Sequence, residues 1–366
     1  MDWNRRRVLL TGHTGFKGSW LSLWLQNKGA DLCGYALEPP TKVNMFEAAR
    51  VAQGMRSVLG DTRDTRQLQQ TFAEFQPEIV FHLAAQASVR KSYVDPLGTY
   101  STNVMGTANI LEAARHSAGL RAVVVITSDK CYLNHEWEWP YRETDPLGGY
   151  DPYSNSKACA ELVVAAYRDS FFNTKDYRRH GVAIASVRAG NVIGGGDWEE
   201  SRIVPDTMRA FVSSLPVRLR NPQAIRPWQH VLEPLRGYLM LAESMCEQGV
   251  ATAEAWNFGP DQSDAQPVEW VVREMANLWG SGARWENDPG EQPHEANHLT
   301  LDSSKASGRL GWRPELRLKD ALAMTVAWYQ ANAQGRDMRE FTRAQITDYD
   351  SRVKARASVK AAGVHV

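Results

Sequence analysis

Residues 7–20 read RVLLTGHTGFKGSW, and the fold is decided there. Val8, Leu9 and Leu10 form a short apolar run that meets Gly12, Gly15 and Gly18, three residues apart. Behind the glycines, Trp20, Leu21, Leu23, Trp24 and Leu25 recur at helical spacing until Gly29. The pattern predicts a strand, a tight turn, an amphipathic helix and a C-cap. Glycines at such a turn let backbone N–H groups approach an anion at the positive end of the helix. Directly after an apolar strand, the loop predicts a dinucleotide site rather than a bare tight turn.

The strand–helix alternation continues outward. Leu32–Leu37 reads as a second strand, and EPPTK after it cannot extend a sheet. Gln67–Phe75 reads as a helix, Glu78–Leu83 as a strand, Thr99–Arg115 as a helix and Arg121–Thr127 as a strand buried on both faces. A helix over Tyr153–Phe172 and a strand over Val182–Val187 follow. The fold class is therefore α/β, a Rossmann-type parallel sheet with helices on both faces. In such sheets ligands lie beyond the carboxyl ends of the strands, where GHTGFKG, HLAAQ, TSDK and RAGN fall. After Asn191 the rhythm loosens into helices near 203–214, 231–247, 266–279 and 318–334. We read 1–189 as the nucleotide-binding domain and 190–345 as a smaller mixed α/β lobe, with some chain crossing between them. Residues 346–366 read as a basic, poorly ordered tail without a strong periodic face.

Composition excludes other classes. Lys plus Arg is 42 and Asp plus Glu is 42 in 366 residues, so no net field draws the chain to nucleic acid or an anionic membrane. The apolar share of 43% is enough for a full core. Cys33, Cys131, Cys159 and Cys246 are scattered, forming neither a disulfide framework nor a metal cluster. The apolar start is too short for a signal peptide, and no stretch reaches a membrane span, so a cytoplasmic protein without metal is expected. Tryptophan is abundant, at 13, and Trp137, Trp139, Trp198 and Trp228 in polar loops suggest stacking surfaces or partly buried loop packing.

Two constellations carry chemistry. Tyr153 and Lys157 stand four apart on one helical face. An ammonium beside a phenol stabilises the phenolate, which can take an alcohol proton while hydride leaves the carbon. Thr127, Ser128, Asp129 and Lys130 close a buried strand, where polar groups are costly unless used. Simple alcohol oxidation needs only Ser128 with Tyr153; Asp129 and Lys130 add an acid and a base, as an elimination requires. A structural ion pair or a helix cap is the plainer reading of those two. The second strand lacks an acidic residue at the usual ribose position: Glu38 comes late, no arginine clamp for a 2′-phosphate is evident, and Lys42 is near. Asp61 after Gly60 is either an adenine-side contact or a turn aspartate.

GHTGFKGSW (12–20), FHLAAQ (81–86), TSDKCY (127–132), PLGGYDPYSNSK (146–157), RAGNVIGGGDW (188–198) and NPQAIRPWQHVLEPLRGY (221–238) together resemble the nucleotide-sugar 4,6-dehydratases of the extended short-chain dehydrogenase/reductase family. The resemblance covers roughly residues 5–345 and is strongest to the branch acting on CDP-sugars. It implies NAD as cofactor, CDP-glucose as substrate and a homodimer packed through helices near 101–117 and 153–172. It implies that Gly12, Thr14, Gly15, Phe16, Lys17 and Gly18 hold the pyrophosphate. Asp61 then meets the adenine side, and Leu83, Ala84 and Ala85 border the cofactor. Tyr153, aided by Ser128 and held by Lys157, becomes the base at the sugar C4 hydroxyl, and Asp129 the acid at C6. Substrate contacts fall to Gln86, Ser128, Asn191, Arg202, Arg226, Trp228, Gln229 and His230.

One position departs from the wider family, which has Asp-Glu where this chain has Asp129-Lys130. A lysine acts as base only with a pKa far below about 10.4, which burial would supply. Lys130 is expected to be the C5 base or to stabilise the enolate. A 4-epimerase on the same scaffold, leaving Asp129 and Lys130 idle, and a non-catalytic nucleotide-sugar sensor are the competing readings.

Overall fold

The computed structural model describes residues 1–280, 282–287 and 299–361. Its centre is a seven-stranded sheet built from β1 (Arg7–Thr11), β2 (Asp31–Ala36), β3 (Arg56–Leu59), β4 (Ile79–His82), β5 (Ala122–Ile126), β6 (Ala183–Arg188) and a late strand, Ala255–Asn257. The spatial order is β3-β2-β1-β4-β5-β6 and then the late strand, with every adjacent pair parallel. The chain winds outward from β1 to β3, returns to β4 and winds the other way. The crevice is therefore between the ends of β1 and β4, the switch point where such sheets bind ligands.

Period-two alternation sorts the strand residues between two cores. Leu10, Phe81 and Val124 face one side with Trp20, Leu235 and Trp256. Leu9, Val80, Val123 and Val125 face the other with Leu68, Phe72, Leu111 and Val164 from the helices Thr65–Phe75, Gly106–Arg115 and Pro152–Ser170. β4, β5 and β6 are buried throughout, which is why they read as continuous apolar runs.

Two expectations change. The helix after the glycines, Phe16–Asn27, is not amphipathic: Gly18 through Leu25 are all buried. A terminal helix, Met338–Ala361, covers its outer face, so the segment read as a disordered tail is ordered through residue 361; 362–366 lie outside the described residues. The reason is a narrow stripe at four-four-three-four spacing, Met338, Thr342, Ile346, Tyr349 and Val353, in which the first four are buried. Trp24 meets Tyr349 edge to face at 5.7 Å and donates its Nε1–H to Asp350 at 3.1 Å. Arg352, Lys354 and Arg356 occupy the solvent side of that stripe.

The late chain does not form a detached body. The helix Leu232–Gln248 packs on β5, and Ala255–Asn257 pairs with Ser186–Arg188 of β6. The rest builds short pairs over the ligand edge: Val192–Ile193 with Gln229–His230, Ile225–Pro227 with Ala265–Pro267, and Val217–Leu219 with Trp285–Asn287. No helix among the described residues is long and apolar enough to cross a membrane.

Candidate active site

The glycine loop is shaped for a diphosphate. Gly12 has φ +74°, and a Cβ there would stand 2.8 Å from the Ala84 nitrogen. A Cβ on Gly18 would come within 2.1 Å of the Gly12 carbonyl. Gly15 begins the helix Phe16–Asn27 without any side-chain cap. First-turn N–H groups of that helix thus face the crevice with the dipole behind them, a fit for an anionic cofactor. Thr14 anchors the loop by donating to the Leu37 carbonyl at 2.9 Å. Leu83 and Ala84 are tied across to Thr11 at 3.2 and 3.1 Å, setting the opposite wall with Ala85.

Beyond the loop, β5 delivers the reacting groups. Ser128 is extended and donates its hydroxyl to Asp129 Oδ1 at 2.9 Å, and Asp129–Cys131 turns once immediately after. Asp129 is buried, with its carboxyl against the α-carbon of Gly190 at the end of β6. Asp151 caps the helix Pro152–Ser170 by accepting from the Ser154 N–H at 2.9 Å, which aims the first turn, and Tyr153, at β5. Ser128 acts on the Tyr153 phenol in favour of the phenolate. Burial pushes that phenol up to about 12, with Ser128 and Arg202 pulling down and Asp129 pushing up. Lys157 reaches the Ile126 carbonyl at 3.3 Å; burial, with Lys17 adding to it, lowers its ammonium to about 8, and Glu161 opposes this.

Lys17 was expected only as a lining residue of the glycine loop. Its ammonium is pushed down to about 8 by burial, and the charges around it are Asp129, Arg202 and Asp197. Lys17 therefore stands at the reacting end of the crevice. Arg202 pairs with buried Asp197 at 3.0 Å and faces Tyr153 electrostatically. Asp197 and Gly190 both lie inside the quoted RAGNVIGGGDW stretch, but nothing in their spacing marks them.

Other expected contacts are placed differently. Lys130 is exposed, so the burial required for a lysine base is missing. Trp228 is buried, its Nε1–H on the Gln266 carbonyl at 3.1 Å. Gln229 donates to the Gly190 and Phe258 carbonyls at 3.3 and 2.8 Å. His230 is fully buried, its ring edge-on to Trp20 at 5.6 Å, and burial drives it down to about 3. These three side chains are buried: the short Gln229–His230 strand places both of its residues inside the core. Gln86 is likewise engaged with Ser88 and Thr99, at 3.0 and 2.9 Å. Asp61 accepts from the Arg63 backbone N–H at 2.9 Å, the bond of a turn aspartate, and the Arg63 guanidinium contacts both of its oxygens. Asn191 has φ +48° and its carbonyl accepts from Gln229 at 3.2 Å, while Arg226 lies on the short antiparallel pair at intermediate burial. Phe16 packs against Gly194. Of the loop tryptophans, Trp137 stacks on Tyr141 at 5.3 Å, Trp198 meets Tyr329 edge-on at 5.1 Å and Trp139 is exposed. Among the described residues no group of three His, Cys, Asp or Glu is placed to hold a metal ion.

A doubly wound parallel sheet, a glycine loop at its switch point and a Ser–Tyr–Lys set at the adjoining strand end define a short-chain dehydrogenase/reductase. Comparison narrows the class: the family model described as GDP-mannose 4,6 dehydratase matches residues 9–325, and the chain belongs to that family. It is 54% identical over 349 residues to a CDP-glucose 4,6-dehydratase of Salmonella typhimurium (strain LT2), covering 95% of this chain and 97% of that protein. It is 27% identical to a UDP-glucose 4-epimerase of Mycolicibacterium smegmatis, over 90% of this chain and 100% of that one. Among solved structures, a UDP-glucose 4-epimerase of Thermus thermophilus in complex with NAD superposes with a TM-score of 0.75 at 25% identity, over 88% of this chain and 99% of that chain.

Proposed function

We propose that the chain is an NAD-dependent 4,6-dehydratase that converts CDP-glucose to CDP-4-keto-6-deoxyglucose and water. The observation that carries this is the 54% identity to a CDP-glucose 4,6-dehydratase along nearly the whole of both chains. NAD, which the glycine loop Gly12–Gly18 would hold, would supply a hydride acceptor for C4 and a hydride donor for C6, so the net change is loss of one water.

The chain's own groups divide the proton work. Tyr153 takes the C4 hydroxyl proton, with Ser128 bridging phenol and substrate oxygen. Lys157 holds positive charge beneath that centre. Asp129 gives its proton to the departing C6 hydroxyl, and Gly190 and Ser128 fix its carboxyl for this. Lys130, exposed, acts by its charge on the enolate that develops as a water molecule takes the C5 proton, and a proton returns to C5 when C6 is reduced. Lys17 and Arg202 stand by the same centre, and Arg226 with Asn191 on the lobe at 190–345 receives the nucleotide diphosphate. A 4-epimerase would leave Asp129 without work, although it is buried and held on two sides.

The dimer we infer uses the helical run 96–115 and the helix Pro152–Ser170, whose outer faces leave Leu97, Met105 and Leu162 more than half exposed. Leu162→Glu then yields a monomer by sedimentation; an unchanged mass would place the interface elsewhere.

The test of activity is incubation with NAD and, separately, CDP-, dTDP-, UDP- and GDP-sugars, reading product masses. Loss of one water from CDP-glucose alone is the expected result. With Asp129→Asn, oxidation proceeds and reduced cofactor accumulates without elimination. An unchanged mass with a new C4 epimer would replace the dehydratase by the epimerase.

A further inference from the structure

One helical turn after Lys157, Glu161 is fully enclosed, and it has no role in the chemistry above. Its carboxylate receives the Thr127 hydroxyl on one oxygen. The other oxygen receives the Ser186 hydroxyl at 2.7 Å and Arg188 Nη2 at 2.9 Å. Arg188 continues outward. Its Nη1 donates to the Tyr132 hydroxyl at 2.6 Å and to the Glu143 carbonyl at 3.2 Å. Tyr132 in turn donates to Asn257 Oδ1 at 2.8 Å, and Asn257 Nδ2 donates to the Tyr141 and Asp302 carbonyls at 2.9 and 3.2 Å. A single buried polar network thus joins the ends of β5 and β6, the catalytic helix, the last sheet strand and the segment carrying Asp302.

We propose that the Glu161–Arg188 pair positions and charges the Tyr153–Lys157 couple, with Glu161 as the carboxylate that keeps the Lys157 ammonium protonated. The proposal rests on the oxidoreductase reading above. A buried ion pair is weak evidence for stability, since apolar residues of equal volume commonly serve as well. This pair stands one helical turn from a buried lysine, where its charge can act on the ammonium. Burial alone would raise the Glu161 carboxyl; Arg188, Thr127 and Ser186 outweigh it and hold the group ionised. Lys157 is otherwise pushed toward the neutral form by burial and by Lys17 on the glycine-loop helix. The remaining titratable neighbours are Cys131 in the turn after β5 and His82 on β4, both neutral: burial raises the thiol well above its usual value and lowers the imidazole to about 3. Arg202 and Asp129 act on Tyr153 from the other side. Glu161 is therefore the anion that offsets Lys17 at Lys157.

The sign of each charge change follows. Removing the carboxylate lets Lys157 lose its proton at lower pH and lowers the share of phenolate–ammonium couple. Removing Arg188 removes the charge that does most to hold the buried Glu161 ionised, so Glu161 takes up a proton and the couple weakens in the same direction. The readout is single-turnover formation of reduced nicotinamide with CDP-glucose, followed from pH 6 to 10 in the NAD-loaded protein. This step is common to dehydratase and epimerase, so a different end product does not disturb it.

Glu161→Gln should move the pH–rate profile down by about one unit and cut the maximum about tenfold, with KM for CDP-glucose within about twofold. Arg188→Gln should also move it down, by about half a unit, because Glu161 protonates and no longer offsets Lys17. The double variant Glu161→Gln/Arg188→Gln leaves no charge unpaired and best preserves folding; its profile should move down by about half a unit, because Glu161, one helical turn from Lys157, is the charge of the pair that acts on it. Glu161→Asp should restore the parental profile in part. A profile that stays at the parental pH in whichever of these variants folds would overturn the proposal. A parent that reduces no NAD with any nucleotide sugar would overturn the activity reading and this assignment together. A parent that oxidises CDP-glucose, with variants that share its profile, would overturn the network alone.

Discussion

Replacing Gly190 by alanine tests the acid assignment without touching an ionisable group. An alanine Cβ at this position would stand 1.7 Å from Asp129 Oδ2 and 2.1 Å from its Cγ. Ordinary contact needs about 3.5 Å, so the carboxyl has to retreat by roughly 1.5 Å or more. The retreat breaks the 2.9 Å bond from Ser128 and carries the acid away from the C6 oxygen. A displacement of about 1 Å at a reacting group costs on the order of a hundredfold, or about 2.7 kcal/mol of barrier. Tyr153 and Lys157 are not struck by the new methyl, so C4 oxidation should slow by less than about tenfold. The expected record is a burst of reduced cofactor that persists, with dehydrated product forming about a hundredfold more slowly. Stopped-flow absorbance follows the first quantity and quenched product masses the second. Overpacking should also cost about 1–3 kcal/mol of stability, so the melting temperature is measured alongside. A folded Gly190→Ala that eliminates water at the parental rate would refute the placement of Asp129 as the acid.

Gly18→Ala drives a methyl into the Gly12 carbonyl at 2.1 Å, and NAD affinity measured by fluorescence titration should fall at least about tenfold. Unchanged affinity would mean that the loop does not carry the pyrophosphate. Lys130→Met should slow dehydration about a hundredfold, whereas Lys130→Arg should keep most of it, since a charge suffices for an enolate and arginine is no base at neutral pH. Equal losses in both variants would restore the base assignment. Burial holds His82 and His230 near 3 and His13 near 4, all below the usual 6.5. The unfolded chain therefore binds protons below pH 6.5 that the native chain refuses, so stability is lost as pH falls, by about 1.4 kcal/mol per unit for each histidine. The urea midpoint should drop steeply from pH 6.5 to 5, and His230→Leu should remove about a third of the slope; a flat midpoint would contradict the burial of these rings.

How much of this was legible depended on whether the signal was local. Arg7–Thr11, the glycine loop and the helix behind it are adjacent in sequence, and their period and turn chemistry suffice. The same holds for Tyr153 and Lys157, which one helical turn brings to one face. The terminal helix was misread because its polar residues outnumber the stripe of Met338, Thr342, Ile346 and Tyr349, and an average over the segment hides a narrow face. The resemblance made Trp228 and His230 substrate contacts, and an aromatic and an imidazole in a polar stretch carry no mark of the burial they show. Their environment comes from Trp20, more than 200 positions earlier, and from Gln266.

The sequence by itself determined the doubly wound sheet and the crevice for a dinucleotide, and it named the candidates for the groups that move protons, because each rests on neighbours within a turn or a strand. Tertiary structure alone decided which of these groups are held, and by what. Gly190 fixes Asp129 from 61 residues away, and Arg188 fixes Glu161 from 27. Such pairings follow from the stacking of parallel strands, whose connections are long. The partner across β5 and β6 is therefore always distant in sequence and has no spacing that could announce it.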